Sequence, residues 1–297
     1  MRRLLPLARL MLGYFPLPLM RWLQNQGRIT LPENCTRRVI AADNVPCEWL
    51  IPDGSSSDQV LLYLHGGGFV YGWSNAHRQM VLYLAQLLNV RALAVDYRLA
   101  PEYPYPAALD DCVAVYRWLI GQGIAPENIV ITGDSAGGQL TLATLLKLRD
   151  DGDPLPAAGV CLSPAADLTI RDELYERTED LILHPRALAN FRSAYVGSHD
   201  ASDPLLSPVY GDFHGLPPLL IHIGADEFLR ADAERAADQA KRDGVDVRIE
   251  VYPRMWHVWH MQFANLPQAI QALDDVAGFI KSHLKLPVPE AQAVSKS

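Results

Sequence analysis

One hexapeptide constrains this chain more than any other feature. Gly133-Asp134-Ser135-Ala136-Gly137-Gly138 follows the aliphatic run Ile129–Thr132 and opens a helical pattern from Gly137 to Arg149. A serine between glycines at such a junction predicts a sharp strand-to-helix elbow. The residues two before and two after the serine nearly touch, so Gly133 and Gly137 must lack side chains. Ser135 itself must take a strained backbone conformation that lifts its Oγ above the sheet. The helix N-terminus that follows favours negative charge developing beside it. An ordinary Gly-Ser turn could imitate these residues, so the surrounding sequence has to carry the reading.

Strands and helices alternate around the elbow. Strand candidates are Arg38–Ala41, Cys47–Ile51, Val60–Leu64, Ala92–Tyr97, Ile129–Thr132, Gly159–Leu162, Leu219–Ile223 and Val247–Tyr252. The middle ones are unbroken apolar runs, as strands buried on both faces of a parallel sheet require. Helix candidates are Pro106–Gly121, Gly137–Arg149, Ala231–Asp243 and Pro267–His283, with Gly121 and Gly244 at expected C-terminal caps. The pattern predicts an α/β fold: one domain over residues 1–297, with an eight-stranded, mostly parallel sheet flanked by helices. From Asp167 to Pro217 no strand signal occurs, an interval far above ordinary loop length, and a helical cap over residues 167–215 is expected. Residues 1–35 are expected to complete that cap. Their first 32 positions hold five arginines and no acid. The apolar stretch Leu4–Met20 is broken by Arg9, Pro6, Pro16 and Pro18, unlike a membrane span or a signal peptide. Capping is therefore preferred over contact with a membrane surface. A frayed tail is expected from Pro287 to Ser297.

Bulk properties exclude more than they assign. A net charge of −8 disfavours nucleic acid as a partner. Cys35, Cys47, Cys112 and Cys161 are scattered and form no CxxC pair, which argues against zinc or a disulfide framework. Small buried thiols in a reducing, cytoplasmic compartment are expected.

The chemistry rests on three further features. His65-Gly66-Gly67-Gly68-Phe69 follows the strand Val60–Leu64. Consecutive glycines let backbone amides approach a substrate closely, and Gly67, Gly68 and Ala136 are assigned to an oxyanion hole. A phosphate loop is excluded, since no GK[ST] follows and Rossmann spacing is absent. Acid and base should then follow the serine, acid first. Asp226 comes straight after Leu219–Ile223 and is assigned as the acid; Glu227 is set aside as pointing elsewhere from its neighbour, and Asp232 as a helix residue. Among the late histidines, His257 follows the strand Val247–Tyr252 by a short loop and is preferred to His260 and His283 as the base. An apolar substrate wall is expected from Phe69, Trp73, Phe191, Tyr195 and Val258, with core packing as the alternative for each.

In these motifs the chain resembles the hormone-sensitive lipase family of α/β-hydrolases, in its bacterial esterase branch. The resemblance runs from about Gln59 to Phe279. It includes His65–Gly68, Asp96–Glu102, Gly133–Gly138, Asp203-Pro204 with Ser207-Pro208, and the Asp226 and His257 segments. It implies a serine carboxylesterase that cleaves short- to medium-chain acyl esters without metal or organic cofactor. It also implies Ser135 as nucleophile, Asp226 as acid and His257 as base, with a cap from the N-terminal segment and the insertion. Arg98 and Glu102 are expected to be held by polar partners behind the site. Two departures stand out: the family often reads Asp-Pro-Leu after the acid strand, where this chain has Asp226-Glu227-Phe228-Leu229, and Gly-Phe after the histidine, where it has Val258-Trp259. An amidase, lactonase or deacetylase would use the same triad. A non-catalytic ligand receptor on this fold is disfavoured, because serine, acid and histidine all stand. The expected partner is a small-molecule ester, and the expected assembly a monomer or homodimer.

Overall fold

The computed structural model describes residues 9–11, 14–24, 31–169 and 180–284. One sheet holds β1 (Cys35–Ala42), β2 (Val45–Pro52), β3 (Ser56–Leu64), β4 (Val90–Val95), β5 (Ile129–Asp134), β6 (Ala158–Leu162), β7 (Leu219–Gly224) and β8 (Val247–Tyr252). Their order is β1-β2-β4-β3-β5-β6-β7-β8. Only β2 runs against the rest, antiparallel to both its neighbours. The β1–β2 hairpin turns on Asp43 and Asn44, whose positive φ values of 48° and 66° suit a tight two-residue turn.

Seven helices accompany the sheet among the described residues: α1 (Leu17–Gln24), α2 (Asn75–Leu88), α3 (Ala107–Gly121), α4 (Ala136–Asp151), α5 (Pro185–Val196), α6 (Arg230–Arg242) and α7 (Pro267–His283). The period-2 alternation of β3 shows why both faces must be covered. Val60, Leu62 and Leu64 join the core built with α3, α4 and α6, whereas Leu61 and Tyr63 join the core built with α2 and α7. Helix α2 escapes the sequence pattern because its capping box is closed by His77 in place of the usual Glu or Gln. The cap expected at Gly121 falls two residues later: Gly121 is still helical, and Gly123 takes the left-handed conformation at φ 86°. Gly244 does so at φ 75°, just after α6. Tyr97, expected inside the fourth strand, has already left it.

Parallel strands that end at one edge bring loops from distant parts of the chain together there. Residues 65–69, Ser135, Ser163, Glu227 and His257 all follow the C-terminal ends of their strands. All four cysteines are free thiols, three of them buried and Cys35 half-buried. No helix among the described residues is long and apolar enough to cross a membrane. Residues 170–179 of the expected insertion and the expected tail from Pro287 lie outside the described residues.

Candidate active site

The elbow has the backbone that its glycines predict. Ser135 sits at φ 53°, ψ −117°, a region that costs a non-glycine residue about 1–3 kcal/mol. Its amide is held by Leu162 O at 2.8 Å. A Cβ on Gly133 would enter the carbonyl of Gly137, and one on Gly137 the carbonyl of Leu64. Three other non-glycine residues around the site share a positive φ: Phe69 (63°), Ser163 (51°) and Val258 (47°). Strain gathered in four loops at one sheet edge shows that packing, and not local preference, sets this geometry.

His257 Nε2 lies 2.8 Å from Ser135 Oγ, and its Nδ1 lies 2.8 Å from Glu227 Oε2. Glu227 Oε1 accepts the Gly224 amide (2.6 Å) and the Ser163 hydroxyl (2.8 Å). A carboxylate so engaged is an acceptor, so Nδ1 carries the proton and Nε2 presents its lone pair to Ser135. Burial by itself would lower the His257 pKa, but the Glu227 carboxylate outweighs it and holds the imidazole above its ordinary value. Burial raises Glu227 in turn, with His257 opposing.

The expected acid is therefore corrected: Glu227, not Asp226, meets the histidine. After β7 the chain makes a turn closed by Glu227 N donating to Gly224 O (3.3 Å). Asp226 occupies the outer corner of that turn, its amide tied to Met255 O at 3.2 Å. Glu227 closes the turn and points back, and its extra methylene spans the distance to the imidazole. The family's Asp-Pro-Leu carried the missing signal. Anchored on Leu229, that motif puts its acid at Glu227 and its proline at Phe228. Ser163 was also missed; it links the acid to the base loop, accepting from the Val258 amide at 3.2 Å.

The glycine loop is fixed from beneath. Asp134 Oδ1 accepts the Gly66 amide (2.8 Å) and the Tyr63 hydroxyl (2.6 Å), with His77 Nε2 at 3.4 Å. Burial pushes the Asp134 carboxyl up, but these donors outweigh it and hold it at about 2. His65, buried and stacked on Tyr97 at 4.1 Å, is pushed down to about 3 and stays neutral. Gly67 and Gly68 adopt φ of 119° and 59°. No acceptor among the described residues takes the amide hydrogens of Gly67, Gly68 or Ala136. Three donors beside one serine can receive an oxyanion.

A cavity of about 50 Å³ opens on Ser135, lined in part by Gly68, Phe69, Leu183, Leu188 and Phe191. Three residues expected on the substrate wall do not line it. Trp73 is packed beneath the glycine loop, stacked on His77 at 5.6 Å. Tyr195 is buried behind Phe69, their rings parallel at 3.7 Å. Val258 turns its amide toward Ser163. Arg98 pairs with Asp111 at 2.8 Å and Glu102 with Arg21 at 2.7 Å, which supplies the polar partners expected for both.

Comparison with known proteins identifies the fold family. Residues 61–261 match a family described as alpha/beta hydrolase fold. An acetyl-hydrolase of Streptomyces hygroscopicus is 38% identical over 246 residues, covering 82% of each chain. An esterase of Acinetobacter venetianus is 37% identical over 231 residues, 77% of this chain and 76% of that one. A crystal structure of an esterase from the bacterial hormone-sensitive lipase family superposes with a TM-score of 0.89 at 38% identity, covering 95% of this chain and 97% of the other.

Proposed function

The chain belongs to the α/β-hydrolase fold family, in its bacterial hormone-sensitive lipase branch, and is a carboxylic ester hydrolase; on that premise we propose that Ser135, His257 and Glu227 carry the reaction. The continuous chain from Ser135 Oγ through His257 to Glu227, with both contacts at 2.8 Å, carries the assignment. His257 Nε2 takes the hydroxyl proton as Oγ attacks the ester carbonyl. The tetrahedral oxyanion accepts from the amides of Gly67, Gly68 and Ala136, each worth about 3 kcal/mol. His257 returns the proton to the departing alcohol, leaving an acyl-serine. Water, deprotonated by the same nitrogen, releases the carboxylic acid and restores Ser135. Glu227 holds the tautomer and balances the transient imidazolium.

The cavity supports a short acyl group. At about 50 Å³ it is small, and it takes an acyl tail of only a few carbons. Helix α5 and the N-terminal segment act as the cap: Arg9 Nε donates to Leu183 O, two residues before α5, at 3.0 Å. Free, mostly buried thiols favour a cytoplasmic setting. Nitrophenyl esters of two to sixteen carbons test the reading. Turnover should peak at two to four carbons and fall about 10³-fold or more in Ser135→Ala. Undiminished turnover in that variant would refute the mechanism.

A further inference from the structure

Behind the triad lies a second buried carboxylate that the reaction above does not use. Asp180 is fully buried. Its Oδ1 accepts the amides of Ile182 and Leu183, both at 2.8 Å. Its Oδ2 accepts the amide of Phe228 at 3.0 Å. The first two donors belong to the insertion, where Leu183 lines the acyl cavity and gives its carbonyl to Arg9. The third belongs to the residue directly after Glu227. One side chain thus joins the roof of the pocket to the loop that carries the acid.

We infer that Asp180 is a positioning residue for the hydrolytic site, which fixes Glu227 from behind by holding the amide of the residue that follows it. This rests on the triad assignment given above. Phe228 precedes α6 and its amide is buried, so without an acceptor the acid loop would lose its anchor. The direction of the His257 shift agrees, since Asp180 adds to the upward pull of Glu227. The same carboxylate ties substrate fit to catalysis, because displacing Leu183 would disturb Phe228.

Asp180→Asn keeps the volume and removes the charge, at the cost of aiming an amide N–H₂ at a donor. Asp180→Ser keeps an acceptor without charge and serves should the first variant not fold. Both are compared with the parent enzyme by kcat and KM on a nitrophenyl acetate and by the pH profile of kcat/KM. The expected result is a fall of about tenfold or more in kcat, with a smaller rise in KM from the displaced Leu183. The acid limb should also move to lower pH, because a displaced Glu227 no longer holds the protonated His257 as firmly. An acid limb that stays in place in a folded variant overturns the inference, whatever happens to kcat. Abolition of activity by Ser135→Ala, measured alongside, keeps that outcome distinct from failure of the triad assignment.

Discussion

A glutamate reaches one methylene farther than an aspartate, and at the end of β7 that methylene decides which of two adjacent acids works. Asp226 and Glu227 differ in where the turn after Gly224 leaves them, and Glu227 has a buried carboxylate that accepts from three partners across both oxygens. Glu227→Gln should therefore lower kcat by about 10³–10⁴-fold, because an amide can present N–H to Nδ1 and stabilise the wrong tautomer. Asp226→Asn should change it less than about threefold. Equal losses in the two variants, measured with a short ester, would remove Glu227 from its role. The pH profile follows from the same pair. Glu227 raises the His257 pKa above its ordinary value, and the protonated imidazole cannot accept from Ser135. kcat/KM should thus climb as pH rises, with a midpoint above about 6.5; a midpoint well below that value would contradict the coupling.

Elements were legible in the sequence where one physical signal dominated. The elbow, the glycine loop and the buried strands could be read because close backbone approach demands glycine and two-sided burial demands unbroken apolar runs. What stayed hidden depends on which way a loop turns. Trp73 and Val258 lie near the site in sequence, but the turns at Ser74 and after His257 send them behind it, and Tyr195, near the end of α5, is buried against Phe69. Helix α1 could not be read either, because its anchoring is polar. Arg21 Nε donates to Val70 O and its Nη2 to Ala100 O, both at 2.7 Å, so the helix holds the loop that follows the glycines through charge-assisted bonds, with Leu17 packed against the core. At the roof, α5 sets Phe191 so close to Gly68 that a Cβ there would collide with the ring. Phe191→Ala should open the cavity and move the preferred acyl length upward by several carbons, read as the ratio of kcat/KM for octanoate and acetate esters. An unchanged ratio would mean that the ring does not bound the acyl site.

Across the whole molecule, stability should depend on keeping three buried histidines neutral. His65 is held down to about 3, and burial lowers His222 and His260 as well. The last two form a directed chain. Asp275 lies 3.0 Å from His222 Nε2 and can only accept, so His222 Nδ1 is bare and takes the hydrogen of His260 Nε2 at 3.3 Å. That leaves His260 Nδ1 buried with no acceptor among the described residues, and a proton added there would have nowhere to donate. In each case the folded pKa lies below the unfolded value of about 6.5, so the unfolded chain binds more protons as pH falls. Stability is then complete above pH 7 and drains away below about 6.5, by up to about 1.4 kcal/mol per pH unit for each histidine. His257, shifted the other way, gains its stabilisation as pH falls toward about 6.5 and keeps it below that, so it leaves the slope on the acid side unchanged. His260→Gln removes one of the three titrations. Urea unfolding at pH 7.5 and 5.0 should show a loss of stability about 2 kcal/mol smaller in that variant than in the parent. An equal loss in both proteins would mean that His260 takes up its proton in the fold, and that the His222–His260 chain is not locked in the neutral form its hydrogen bonds require.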